Sequence, residues 1–191
     1  MDYLVVIICW VIYLGLHSLL ANQNVKDVVR RKVKWLWSVY RIFYSTVSTV
    51  GLVLMCYQIA TTPSLELFES PGYLRYMAMI LASWGVILTM VSFRHLSGLE
   101  FLGLKKSKQT GLVREGLHGY VRHPIYSGNI LVILGLFLFH PTDIILISVV
   151  IIMLYLPIGI HFEEQKLMAE FGEEYEAYKE QVPAIFPKLR L

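Results

Sequence analysis

Arg122, His123, Glu163 and Glu164 are the residues of this chain whose types and spacing suit chemistry. The run Arg122-His123-Pro124-x-Tyr126 lies in a polar, glycine-rich stretch, Gly111 to Gly128, flanked on both sides by long apolar segments. Pro124 biases His123 away from helical geometry, so a helix starts cleanly after it. A helix N-terminus with an arginine beside it favours an anion such as a carboxylate. The adjacent carboxylates Glu163-Glu164 suit an ammonium group or a sugar diol. The segment Gly111-Leu112-Val113 to Gly116 has a backbone flexible enough to lie against a flat ligand. An anion site, a cation site and a hydroxyl-binding carboxylate together describe one zwitterionic, nucleotide-like ligand, and S-adenosylmethionine has all of those groups. Simpler readings compete. Arg122 and His123 serve equally as lipid-headgroup contacts, and Glu163-Glu164 as the acidic first turn of a helix stabilised by its dipole.

The elements that hold these groups are apolar. The chain has 191 residues, 56% hydrophobic and 16% charged, whereas an ordinary soluble domain is about 25% charged. A chain this short cannot hide so much apolar surface in one aqueous core, so a bilayer is the expected solvent. The run Tyr3 to Ala21 is long enough to span a hydrocarbon core of roughly 30 Å. It lacks the basic leader of a removed signal peptide and reads as an anchor. Further spans are expected at about Val39–Ala60 and Tyr73–Phe93. Tyr126–Phe139 and Ile144–Ile160, joined by the turn His140-Pro141-Thr142-Asp143, read as a helical hairpin. Pro157 removes a backbone donor and is expected to kink its second arm. From Glu163 to Gln181 the residues Leu167, Phe171, Tyr175 and Tyr178 form one apolar stripe of an amphipathic helix, ended by Pro183. The expected fold is therefore all-α and membrane-integral, with about five transmembrane helices and a cytoplasmic C-terminal amphipathic helix. It forms one domain, 1–191, divided into a three-helix scaffold, 1–93, and a cofactor-binding catalytic region, 94–191.

Charge sets the orientation. The stretch Asn22 to Ser38 reads as a basic loop with Lys26, Arg30, Arg31, Lys32 and Lys34 against Asp27, followed by the interfacial aromatics Trp35, Trp37 and Tyr40. Thr61 to Gly72 carries Glu66 and Glu69 without a basic residue, and Arg94 to Arg122 is basic again. The N-terminus is thus expected outside, and both basic connectors and the site in the cytoplasm. Cys9 and Cys56 read as small buried hydrophobes, and no metal site is expected. His17 and Ser18, inside the first span, either bond to a neighbouring helix or line a pocket.

Taken jointly, Leu112-Val113-x-x-Gly116, Arg122-His123-Pro124-x-Tyr126, Glu163-Glu164, Phe171-Gly172-x-x-Tyr175-x-x-Tyr178 and Val182-Pro183-x-x-Phe186-Pro187 resemble the isoprenylcysteine carboxyl methyltransferase superfamily. The first half, with His17-Ser18 and Arg94-His95 through Leu104, looks like the methanethiol S-methyltransferase-like branch. The sequence departs from the pattern at Thr110 and at Leu117-His118. The resemblance implies S-adenosylmethionine as methyl donor, in a cytosol-facing pocket closed by the C-terminal segment. It implies cofactor contacts at Leu112, Val113, Gly116, His118, Arg122, His123, Pro124, Tyr126, Glu163 and Glu164. A thiol or prenylcysteine-type carboxylate is the expected acceptor, taking the methyl group by in-line displacement at the sulfonium, with positioning as the main contribution of the protein. Arg122 and Glu164 are the expected catalytic residues. A thiol, with a free pKa of about 8.5, calls for a base, for which His95 and His17 are candidates. The expected partners are the lipid bilayer and the acceptor, without nucleic acid. Alternatives are a phospholipid amine methyltransferase, a membrane haem or electron-transfer protein using some of the six histidines, and a noncatalytic scaffold.

Overall fold

The computed structural model describes residues 2–33, 37, 39–93 and 111–188. Those residues are helical, with no strand among them. In chain order the helices are α1 (Asp2–Ala21), α2 (Gln23–Lys32), α3 (Tyr40–Thr61), α4 (Gly72–Ser92), a 3-10 turn (Gly116–Gly119), α5 (Pro124–Phe139), α6 (Asp143–Phe171) and α7 (Glu173–Gln181). By length and composition four of them can cross a membrane: Tyr3–Ala21, Tyr40–Thr61, Gly72–Ser92 and Asp143–Phe171. α5 is apolar but has 16 residues, which at 1.5 Å each reach about 24 Å. The chain divides into two compact units, the first containing residues 2–65 and the second residues 66–93 and 111–188.

In the first unit α1 and α3 run side by side in opposite directions. Tyr40 Oη donates to Leu20 O at 2.8 Å, and one to two turns further along Tyr44 Oη and His17 Nε2 lie 3.2 Å apart. Deeper still, Tyr13 Oη donates to Ser48 O at 3.2 Å. The outer faces carry Leu4, Val11, Val53 and Leu54 as exposed residues, as a helix pair solvated by lipid requires. Cys9 is half-buried, while Cys56 lies on an exposed face instead of in the interior the sequence suggested. The expected basic loop is also corrected, since Gln23–Lys32 is helix. Asn22 caps it by accepting from Asn24 N–H at 2.8 Å, and Arg30, Arg31 and Lys32 occupy the last turn, where cations complement the helix dipole.

In the second unit α4 and α5 approach closely enough to exclude side chains. A Cβ on Gly128 would stand 2.6 Å from Gly85 O and against Thr89 Oγ1, and one on Gly135 would stand 2.8 Å from Ala78 O. Small residues at such crossings let helix backbones meet in an apolar solvent. The connector before α4 is tied to the α5–α6 turn: Leu67 N–H donates to Pro141 O and Ser70 Oγ to Leu138 O, each at 2.8 Å. Thr142 caps α6.

α6 is longer than the second hairpin arm expected at Ile144–Ile160. It runs unbroken for 29 residues, with Pro157 inside it and Glu163-Glu164 well before its end. Its length of about 43 Å exceeds a hydrocarbon core of roughly 30 Å, so the part after the apolar run ends at Ile160 projects beyond the span. The amphipathic helix expected from Glu163 to Gln181 is instead two pieces, the end of α6 and the separate α7. The break is Gly172, whose φ of +52° suits glycine and interrupts the helical ladder.

Candidate active site

The stretch between the 3-10 turn and α5 is where the second unit gathers its charge. The Arg122 N–H donates to Pro183 O at 2.8 Å and the His123 N–H to Ala184 O at 2.9 Å. The segment after α7 is therefore held on residues 122–123 by two successive main-chain hydrogen bonds. Ser127, in the first turn of α5, adds a hydroxyl bond to Ile185 O at 2.6 Å. The Arg122 guanidinium grips the same region from the side. Its Nε and Nη2 donate to Glu164 Oε1 at 2.9 and 2.5 Å, and its Nη1 donates to Lys179 O at 3.0 Å and to Val182 O. One planar side chain thus joins α6, α7 and the C-terminal segment.

Glu164 is the hub of this cluster. Its Oε1 faces Arg122 and, at 3.2 Å, His123 Nε2, while its Oε2 meets Lys179 Nζ at 3.0 Å. The Arg122 and Glu164 side chains are only 9% and 12% exposed. Burial alone would push the Glu164 carboxyl up, but hydrogen bonds from Arg122, Lys179 and His123, with the Arg122 charge behind them, bring it down to about 2. Glu163 is different: its side chain is 45% exposed and its Oε2 lies 3.7 Å from His123 Nδ1. The Tyr175 side chain is fully buried beside the Arg122–Glu164 pair. Burial, reinforced by the Glu164 charge and opposed by Arg122, pushes that phenol up to about 12.

The glycine-bounded segment docks on α7. Tyr178 Oη donates to His118 O at 2.6 Å, and Arg114 Nη2 donates to Glu174 O at 2.8 Å and pairs with Glu174 Oε1 at 3.1 Å. Burial pushes the Tyr178 phenol up to about 12. Gly116 takes a φ of +62°, and Leu112, Val113 and His118 are half-buried. Pro124 is buried at the start of α5, and the Tyr126 ring meets His123 edge-on at 5.6 Å between centroids.

The structure therefore brings Arg122, His123, Pro124, Tyr126, Glu163 and Glu164 together, with Gly116 and His118 on the neighbouring turn. His17 belongs to the first unit, where Ser48 Oγ lies 3.1 Å from its Nδ1. His95 and Thr110 lie outside the described residues. Lys179 and Ser127 were not singled out from sequence. A lysine directly after the tyrosine stripe, and a hydroxyl one turn into a helix that begins with proline, were the available signals.

Four helices long and apolar enough to cross a membrane, with this charged cluster among the residues of the second unit, define the class as integral membrane proteins. The chain belongs to the phospholipid methyltransferase family, whose profile matches residues 73–174, more than half of its length. It is a methyltransferase. It is 26% identical over 184 residues to the methanethiol S-methyltransferase of Mycobacterium tuberculosis, covering 90% of this chain and 72% of that one. It is 29% identical to the methanethiol S-methyltransferase of Crocosphaera subtropica, over 61% of this chain and 48% of that one. It is 30% identical to the protein-S-isoprenylcysteine O-methyltransferase of Schizosaccharomyces pombe, over 71% of this chain and 53% of that one. No solved structure matches it. The family match contains Arg122, His123, Tyr126, Glu163 and Glu164 and stops before Lys179 and the closing segment.

Proposed function

We propose that the chain uses S-adenosylmethionine to methylate a thiol, either a small alkyl thiol or one carried by a lipophilic molecule. The observation that carries this reading is the Arg122–His123–Glu164 cluster inside the family-matched residues. Similarity to a methanethiol S-methyltransferase along 90% of the chain favours the thiol. A prenylcysteine-type carboxylate comes second, favoured by the relative from Schizosaccharomyces pombe.

The residues fit such a donor. Glu163 presents an exposed carboxylate for an ammonium or a ribose diol, and Tyr175 adds a buried phenol beside Arg122 and Glu164. Leu112, Val113, Gly116 and His118 form the wall for a flat base, and Tyr126 and Pro124 shape the floor. Bound there, the donor supplies an activated methyl group on a sulfonium. Arg122 places positive charge for a carboxylate, while its hydrogen bonds to Glu164, Lys179 O and Val182 O hold the wall in one shape. Glu164 keeps Arg122 and His123 in register. Residues 182–185, held on Arg122, His123 and Ser127, exclude water from the site. A thiol acceptor gives up its proton to a base, and His95 is the candidate for that role.

The same reading makes residues 1–93 the scaffold and 94–191 the catalytic region. It gives the chain five spans, counting α5 and α6 as a hairpin. The N-terminus lies outside, and α7 and the site face the cytoplasm, as the basic connectors support. Radiolabelled methyl transfer by the protein in lipid nanodiscs, offered small thiols, farnesylcysteine and phospholipid amines, tests the proposal. Transfer to thiols is expected. Transfer to the phospholipid alone, failure to bind the donor by calorimetry, or a Soret band in the absorbance spectrum would overturn it.

A further inference from the structure

We infer that α2 is an interfacial helix that binds anionic lipid headgroups. The placement follows from its two neighbours. α1 ends at Ala21 and α2 begins at Gln23, with Asn22 between them as cap. α3 starts at Tyr40, whose hydroxyl donates to Leu20 O at the end of α1. Both spans therefore meet the membrane edge at the same level, and the residues between them leave and re-enter the same face. With a single residue between α1 and α2, the helix cannot move far from that edge.

The sequence of α2 suits the place. At 100° per residue Val25, Val28 and Val29 fall on one side, Val28 exposed and the other two half-buried. Lys26, Arg30 and Arg31 fall on the other side, Lys32 falls on the valine side in the last turn, from which a lysine stem can snorkel to the headgroups, and Asp27 is the one acid among them. The Arg30 guanidinium lies 5.7 Å over the Trp37 ring, and indole is a side chain that settles at the headgroup level. An apolar strip that enters the acyl boundary beneath a cationic strip is the pattern of helices that lie in the membrane plane. Net positive charge at that depth is complementary to phosphate-bearing, anionic lipids. This inference does not depend on the acceptor or on the donor.

The test uses the full chain in nanodiscs, with Trp10, Trp35 and Trp84 replaced by phenylalanine so that Trp37 is the sole fluorophore. Quenching is compared between brominated phosphatidylglycerol and brominated phosphatidylcholine. The anionic lipid is expected to associate more tightly at low salt, by up to about fivefold per cationic group. The difference should collapse in high salt and in Arg30→Gln/Arg31→Gln/Lys32→Gln. Equal quenching by the two lipids, or a preference that survives the triple substitution, would overturn it. Should the single-tryptophan protein fail to fold, native mass spectrometry of the otherwise unaltered chain and the triple variant measures the same preference as retained anionic lipid.

Discussion

Replacing Glu164 by glutamine keeps its shape and removes its charge, and it is the most searching perturbation of the site. In the native arrangement Oε1 receives two bonds from Arg122 and Oε2 meets Lys179 Nζ. The amide retains one acceptor oxygen. If that oxygen stays with Arg122, the NH2 group points at Lys179 and sets donor against donor. If it turns to Lys179, Arg122 faces the NH2 group. Either way the guanidinium, only 9% exposed, loses its counterion. Removing one partner of a buried ion pair costs about 3–5 kcal/mol, and the half-exposed Lys179 arm adds less than about 1 kcal/mol. We take about 3 kcal/mol, roughly a hundredfold, as the loss in holding residues 182–185 on residues 122–123. Hydrogen exchange at the Arg122 and His123 amides, which donate into that segment, reads it directly in nanodiscs. Glu164→Gln should cut their protection by roughly a hundredfold and weaken S-adenosylmethionine binding with it. Glu163→Gln, at a 45% exposed side chain, should weaken donor binding while leaving the protection intact. Unchanged protection and affinity in Glu164→Gln would refute the assignment of Glu164 as the hub.

Four further outcomes follow, two from the same contacts and two from the helix glycines. The Glu164 carboxyl is lowered from 4.5 to about 2 in the folded protein, so its contribution is complete above about pH 4.5 and is lost as pH falls toward 2. Melting temperature in nanodiscs should show this acid loss, and Glu164→Gln should flatten it. Arg122→Ala removes the grip on α6, α7 and Val182 together and should abolish methyl transfer and donor binding; retained binding would place the donor elsewhere. Gly128→Ala puts a Cβ 2.6 Å from Gly85 O and should cost about 1–3 kcal/mol by overpacking. Gly15→Ala, with nothing within 4 Å, should be neutral or gain up to about 1 kcal/mol of helix propensity, as thermal denaturation would register.

Hydropathy located the apolar helices to within a few residues, because a lipid-solvated helix shows its length in one uninterrupted run. It failed where polarity and helicity part. Glu163-Glu164 ends the apolar run, yet backbone hydrogen bonds carry α6 on to Phe171, and only Gly172 stops it. Charge likewise concealed α2, although Asn22 in front of it was a legible cap. The cluster itself was foreseen as a convergence of Arg122, His123 and the two glutamates. That the glutamates divide their work, one a buried hub and one an exposed carboxylate, depends on which face of α6 each occupies. The part of Lys179 was hidden because the turn at Gly172 folds α7 back, and no local pattern announces where a lysine beyond such a turn will land.

Because α6 is unbroken from Asp143 to Phe171, its hydrophobic length and its Glu164-bearing end form a single lever. A bilayer thinner or thicker than its apolar run makes the helix tilt or slide to restore the match. Glu164 rides on that helix one turn beyond Ile160, while Arg122 is held by the loop and the C-terminal segment. Acyl-chain length thereby becomes an input to the Arg122–Glu164 register, and methyl-transfer rates in nanodiscs of short-, medium- and long-chain lipid should peak at one thickness.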